Sequence, residues 1–208
     1  MEIRQIVNSV FNSNSFILSE AGSLNVFLID IGDFNPIISQ MKEDAMIKGI
    51  FLTHTHYDHI YGIRELVKAY PDCIVYTSSF GQEALASNKK NFSRYHNDPI
   101  VFTNTNLQVL KEGDKVYLFP NIELETYETS GHDKSCLTYK IGKSIFSGDS
   151  FIPGLKVITS FPYSNKIEAN TSVQRIISLA NGNDLYPGHG TILSLIHISE
   201  PTRRTPIS

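Results

Sequence analysis

Residues 47–60 read Ile47-Lys48-Gly49-Ile50-Phe51-Leu52-Thr53-His54-Thr55-His56-Tyr57-Asp58-His59-Ile60, an apolar run that ends in three histidines and an aspartate. The β-branched and aromatic residues of the run predict a buried strand. His54 and His56 stand two apart, so an extended backbone points both imidazoles to one side. Asp58 and His59 follow where the chain turns toward Ile60, Ile63, Leu66 and Val67, an apolar stripe at helical spacing. That turn re-aims the second pair at a point beside the first. The resulting nitrogen and oxygen donors suit zinc, iron or manganese.

Three further motifs follow in order, each after a strand-like run. Thr129-Ser130-Gly131-His132, Phe146-Ser147-Gly148-Asp149-Ser150 and Tyr186-Pro187-Gly188-His189-Gly190 supply a histidine, an aspartate and a last histidine. Together with the first stretch they resemble the H-x-H-x-D-H signature and the later ligands of the metallo-β-lactamase superfamily. The resemblance implies that His54, His56 and His132 hold one divalent metal and that Asp58, His59 and His189 hold a second. It also implies that Asp149 bridges them and that Asp58 and Asp149 serve the chemistry directly. Zinc is the first expectation, with iron or manganese as alternatives. Asp30-Ile31-Gly32 falls where the family places a D-x-G element, so Asp30 is expected to orient a ligand loop.

Composition sets wide bounds. The chain has 208 residues, 41% hydrophobic and 19% charged, enough for one globular domain. A net charge of −3 without a long basic run gives no footprint for nucleic acid. No stretch reads as a membrane span and the start lacks a signal-peptide pattern, so a cytoplasmic location is expected. Cys73 and Cys136 are too few for a disulfide framework; Cys136, near His132, is expected to be a buried thiol rather than a ligand.

Strands are predicted over 2–7, 15–19, 24–31, 47–52, 73–76, 107–110, 115–118, 122–127, 136–141, 144–146 and 184–186. Helices are predicted over 36–46, after Ile60, over 78–86 with a serine cap, and over 167–180. Strands in two groups, each followed by helices, suggest a four-layer αββα sandwich, the α/β fold the resemblance also implies. Residues 88–104 are polar and aperiodic and are expected to form a solvated loop, with lining of the active-site mouth as the alternative. Residues 193–203 match the translation of a transposase library adapter, and 204–208 fit its continuation. The domain proper is therefore expected over 1–192, with 193–208, including His197, not native protein.

The resemblance implies a metal-activated hydroxide acting on a small-molecule substrate. Aspartate at position 149 argues against the β-lactam-hydrolysing branches. The compact hydroxyacylglutathione hydrolase-like (glyoxalase II type) branch fits best in length and motif. Two departures stand out: that branch usually shows T-P-G-H-T-P-G where this chain has Thr129-Ser130-Gly131-His132-Asp133-Lys134-Ser135, and residues 155–163 lack its G-R-x-D element. The expected reaction is hydrolysis of a thioester or other activated ester. A mononuclear-iron persulfide dioxygenase, a lactonase and a phosphodiesterase are the alternatives.

Overall fold

The computed structural model describes residues 1–194. The expected tail therefore lies outside the described residues, His197 included, apart from Leu193 and Ser194. Two six-stranded sheets face one another. The first comprises β1 (Glu2–Val7), β2 (Asn14–Ser19), β3 (Asn25–Ile29), β4 (Met46–Phe51), β5 (Ile74–Thr77) and β6 (Leu107–Val109), in that order across the sheet. The second comprises β7 (Lys115–Phe119), β8 (Ile122–Glu128), β9 (Leu137–Ile141), β10 (Ser144–Gly148), β11 (Asp184–Pro187) and β12 (Leu193–Ser194). Most neighbours are antiparallel hairpins, but β3 to β6 run parallel, as do β10 and β11. Parallel pairs need crossovers. These carry α1 (Phe34–Ser39), α2 (Ile63–Ala69), α3 (Ser79–Leu85) and α4 (Lys166–Ala180).

Strand alternation sorts the core into layers. Phe16, Phe27 and Phe51 point between the sheets toward Phe119, Leu124 and Tyr139. Phe51 stacks on Tyr76 with centroids 4.4 Å apart, and truncating this fully buried ring to alanine would cost about 3–5 kcal/mol. Leu28, Ile47, Ile50 and Val75 face the other way, onto Ile37, Ile63, Leu66 and Leu85 of the first three helices. Across the molecule, Ile145 and Leu185 pack on Ile176 and Ala180 of α4. This is the expected four-layer αββα sandwich.

Several boundaries differ from expectation. The helix predicted over 36–46 is the single short α1, and Met46 is 43% exposed at the start of β4 rather than on an inner helix face. The cause is local: Ala45 donates to the Lys42 carbonyl in a turn, and Met46 then donates to Leu24 to begin the parallel ladder. The Ser78 cap is present, with its hydroxyl accepting from the Gly81 amide. Residues 88–104 are only partly a solvated loop. Asn91, Ser93, Ile100 and Phe102 are buried, and Ser93 closes a short 3₁₀ turn by donating to and accepting from Ile100.

Candidate metal centre

Each of the seven expected side chains leaves a strand end on one rim of the sandwich. Thr53-His54-Thr55-His56 follow the end of β4, bending at Thr53, and Tyr57–His59 then closes a 3₁₀ turn that carries Asp58 and His59. His132 comes from the β8–β9 connection, Asp149 from the end of β10 and His189 from the end of β11. The first loop is clamped from all sides. Tyr139 donates its hydroxyl to the Leu52 carbonyl at 2.7 Å, Leu137 its amide to Thr53 at 2.7 Å, and Ser13 its hydroxyl to Asp58 at 2.7 Å. The His132 loop is held by α4 and the residues just before it: Ser164, ahead of the helix, donates to the His132 carbonyl at 2.6 Å, and Ser172 within it donates to the Ser130 carbonyl at 2.6 Å.

The side chains converge as two adjacent groups. Donor atoms of His54, His56 and His132 lie within 4.8 Å of one another, as do those of Asp58, His59 and His189. Asp149 sits against both: its Oδ2 is 3.4 Å from His189 Nε2 and 3.7 Å from His132 Nε2, and its Oδ1 is 3.6 Å from His59 Nε2. Close approach here demands Gly188, because a Cβ at that position would collide with Asp149 Oδ1. Gly148 has φ +51° and packs on the Thr53 side chain, a second place where only glycine fits without strain.

The outward nitrogens fix which edge of each ring faces in. His132 Nδ1 donates to the Ile158 carbonyl at 3.0 Å, His189 Nδ1 to the Phe11 carbonyl at 3.1 Å, and His59 Nδ1 to Asp30 Oδ2 at 2.9 Å. Their Nε2 atoms therefore face inward. His132 Nε2 lies 3.1 Å from His56 Nδ1, and His59 Nε2 lies 3.4 Å from His189 Nε2. Nitrogens that crowd one another this way are natural neighbours of a shared cation. Buried His54 Nε2 and Asp149 Oδ1 have no hydrogen-bond partner among the described residues, as atoms awaiting a metal would not. The donor set thus fits divalent cations.

Asp30 occupies the orienting position expected from sequence. Its Oδ1 accepts from the Thr53 amide at 2.7 Å, while its Oδ2 accepts from Thr53 Oγ1 at 2.6 Å and from His59. Burial raises the Asp30 pKa, opposed by these bonds. Burial lowers His54, with the neighbouring imidazoles adding to the effect, and brings His132 down to about 4. For His189 burial also pulls downward, but Asp149 and Asp58 prevail and hold it up at about 9. His59 is likewise raised against burial, by the charge of Asp58 and the bond to Asp30. Asp58 and Asp149 are lowered against burial, by His59 and His189.

Sequence reading passed over other parts of the site. Asp133 is buried behind His56, with its Oδ2 3.5 Å from His56 Nε2 and its Oδ1 accepting from the Ser135 amide and hydroxyl. The Asp-x-Ser spacing is a self-bonded turn that could have flagged it. A cavity of about 350 Å³ opens beside the cluster, walled by Phe11, Phe92, Tyr95, Ile158 and Phe161. Phe92 and Tyr95, aromatic in a polar stretch, were the visible signal. Cys136 is buried, burial pushes its thiol pKa well up, and it joins none of the donor groups found among the described residues.

A family profile described as the metallo-beta-lactamase superfamily matches residues 8–194. A hydroxyacylglutathione hydrolase of Tolumonas auensis is 27% identical over 167 residues, 78% of this chain and 56% of that protein. A Streptococcus pyogenes protein named "Probable metallo-hydrolase" is 28% identical over 204 residues, 95% of this chain and 87% of its own length. Among solved structures, the B3 metallo-β-lactamase BLEG-1 superposes with a TM-score of 0.83 at 20% identity, covering 93% of this chain and 94% of that one. The chain thus spans little more than half of the first relative and most of the second.

Proposed function

The chain belongs to the metallo-β-lactamase superfamily of metal-dependent hydrolases, and on that premise we propose that it hydrolyses a thioester or another activated ester with two divalent cations. His54, His56 and His132 would hold one cation, Asp58, His59 and His189 the other, and Asp149 would serve both. Zinc is our first choice for these donors, ahead of iron and manganese. A cation pair there supplies Lewis acidity and can lower the pKa of water from about 15.7 to near 7. The single observation that carries the reading is the contact of Asp149 with both groups at once.

The chain's own residues do the rest. The outward hydrogen bonds of His59, His132 and His189 hold their rings so that no reorganisation is needed when charge develops. Asp133 stands behind His56 with its carboxylate 3.5 Å from Nε2, an electrostatic rather than a hydrogen-bonded support. Asp58 turns Oδ2 toward His59 and His189 at 3.4 Å and 3.3 Å. Its Oδ1, without a hydrogen bond among the described residues, can take a proton from the attacking water. Water oxygen adds to the carbonyl carbon, the bond from that carbon to sulfur or oxygen breaks, and the departing thiolate or alkoxide receives the proton. No side-chain nucleophile takes part: Ser147 and Ser150 are buried and spend their hydroxyls on the carbonyls of Phe151 and Thr129.

Metal counting per chain, with a hydrolysis screen of thioesters, lactones and phosphodiesters on the loaded protein, tests this reading. We expect two metals and fastest turnover on a thioester or activated carboxylic ester. One iron per chain with oxygen uptake on a persulfide, and no hydrolysis, would replace it.

A further inference from the structure

The 350 Å³ cavity lies directly over the donor cluster, sharing His56, His132, Asp149 and His189 with it. Its walls are aromatic on both sides. Phe161 lies 5.2 Å from the His56 ring and 5.8 Å from the His132 ring, and Phe92 lies 5.0 Å from His56 and 5.3 Å from Phe161. Opposite them stand Phe11, 68% exposed, and His96, which stacks on Tyr57 at 3.8 Å. Two of these aromatics are held in backbone conformations that L residues avoid: Phe11 has φ 53° and Phe92 has φ 60°. Each costs about 1–3 kcal/mol, strain that persists at functional sites.

Charge is the second observation. None of the described residues lining the cavity is a lysine or arginine. Arg94, beside the rim, is engaged over the Tyr95 ring at 5.5 Å, and Lys90 is paired with Glu83 at 2.6 Å. Lys156 does not line the cavity itself but an adjoining recess of about 50 Å³ that shares His132, Asp149 and Ile158 with it. A glutathionyl group carries two carboxylates and one ammonium and would find no lysine or arginine on these walls to pair with the carboxylates, whereas an apolar group would exchange water for aromatic surface.

Resting on the ester-hydrolase reading above, we infer that this cavity selects substrates by a neutral apolar group beside the scissile carbonyl, an arylalkyl or branched acyl chain, and discriminates against anionic thioesters such as those of glutathione. Phe161 and Phe92 are the specificity-determining residues.

Calorimetric titration of the zinc-loaded protein with two neutral or charged non-substrates tests the inference apart from turnover. 4-Phenylbutyramide should bind at least about tenfold more tightly than S-methylglutathione, the value of one well-buried apolar group. Phe161→Ala should erase that preference, Phe161→Leu should restore part of it, and Phe161→Arg should reverse it toward S-methylglutathione. Phe161 is 37% exposed, so these variants should fold. Tighter binding of S-methylglutathione by the wild type, or an unchanged ratio in Phe161→Ala, overturns the inference. Hydrolysis of phenylbutyryl and glutathione thioesters, run in parallel, reports separately on the underlying reading. Turnover of the glutathione thioester in preference would leave the hydrolase standing and sink the selectivity. Amide binding without hydrolysis of any ester would sink the hydrolase alone.

Discussion

The two groups of the centre use the same residue type to opposite electrostatic ends. His54, His56 and His132 offer only nitrogens, and burial brings His132 down to about 4 and lowers His54 as well. His59 and His189 are also buried, yet Asp58, Asp149 and Asp30 outweigh burial, and His189 rises to about 9. At neutral pH His54 and His132 stand proton-free, whereas His59 and His189 keep protons where a cation would sit. The difference teaches how one pocket can offer a site that fills without proton displacement beside one that fills by exchange.

The largest effect should come from removing what the halves share. Asp149→Asn keeps the volume but loses a charge, and Gly188→Ala drives a methyl into Asp149 Oδ1. Either should cost on the order of 10²–10³ in kcat and lower the metal count. Full activity in both would show that the halves do not depend on Asp149. Next come two variants that split the comparison. Asp30→Ala strips His59 and Thr53 of their buried partner and should cost about 3 kcal/mol in unfolding free energy, with metal lost from the carboxylate-rich half. Asp133→Asn instead turns an amide toward His56 Nε2 and should weaken the other half by about 10–100-fold in Kd. Equal weakening of both halves by both variants would erase the distinction.

The pH dependence gives a smaller and sharper test. His189 is raised above its unfolded value near 6.5, so its contribution to metal-free stability is complete below about 6.5 and is lost as pH climbs through about 9. Metal affinity of that half should rise over the same window. With His132 at about 4, protonation of that ligand should not affect metal binding by the nitrogen-only half above about 6. Zinc titrations in buffers of different ionisation enthalpy at pH 7 should therefore show proton release for one metal and little for the other. Release of equal size in both steps would contradict the comparison. Smallest of all, Cys136→Ala and Ser150→Ala should change kcat/KM by no more than a few-fold; abolition of turnover by Cys136→Ala would point to a thiol nucleophile instead.

How much of this was legible beforehand depended on distance along the chain. The His54-x-His56-x-Asp58-His59 run declared itself because strand periodicity and ligand spacing are local properties, and the three later motifs each sat beside a recognisable strand. Asp30 was legible for the same reason. Phe161 was not, and the turn at Asp133 and the aromatic ring of Phe92 marked those residues without placing them, since proximity to His56 spans gaps that no local pattern encodes. The helix predicted over 36–46 failed because its apolar positions suited helical spacing, while the backbone pairing of Met46 with Leu24 took the end of that segment into a strand.

The hydrogen bond from His189 to the Phe11 carbonyl spans 178 residues of sequence. Asn14 reinforces it, reaching the Pro187 and Gly190 carbonyls, and Ser13 bridges to His189 itself. Loops that long close late, because their entropy must be spent before the contact repays it. A nascent chain emerging from the ribosome would thus present His54, His56 and His132 well before β11 arrives with His189. On the two-cation reading, a cation held by His54, His56 and His132 could be captured during synthesis, while one held by His189 would wait until β11 has met the turn between β1 and β2.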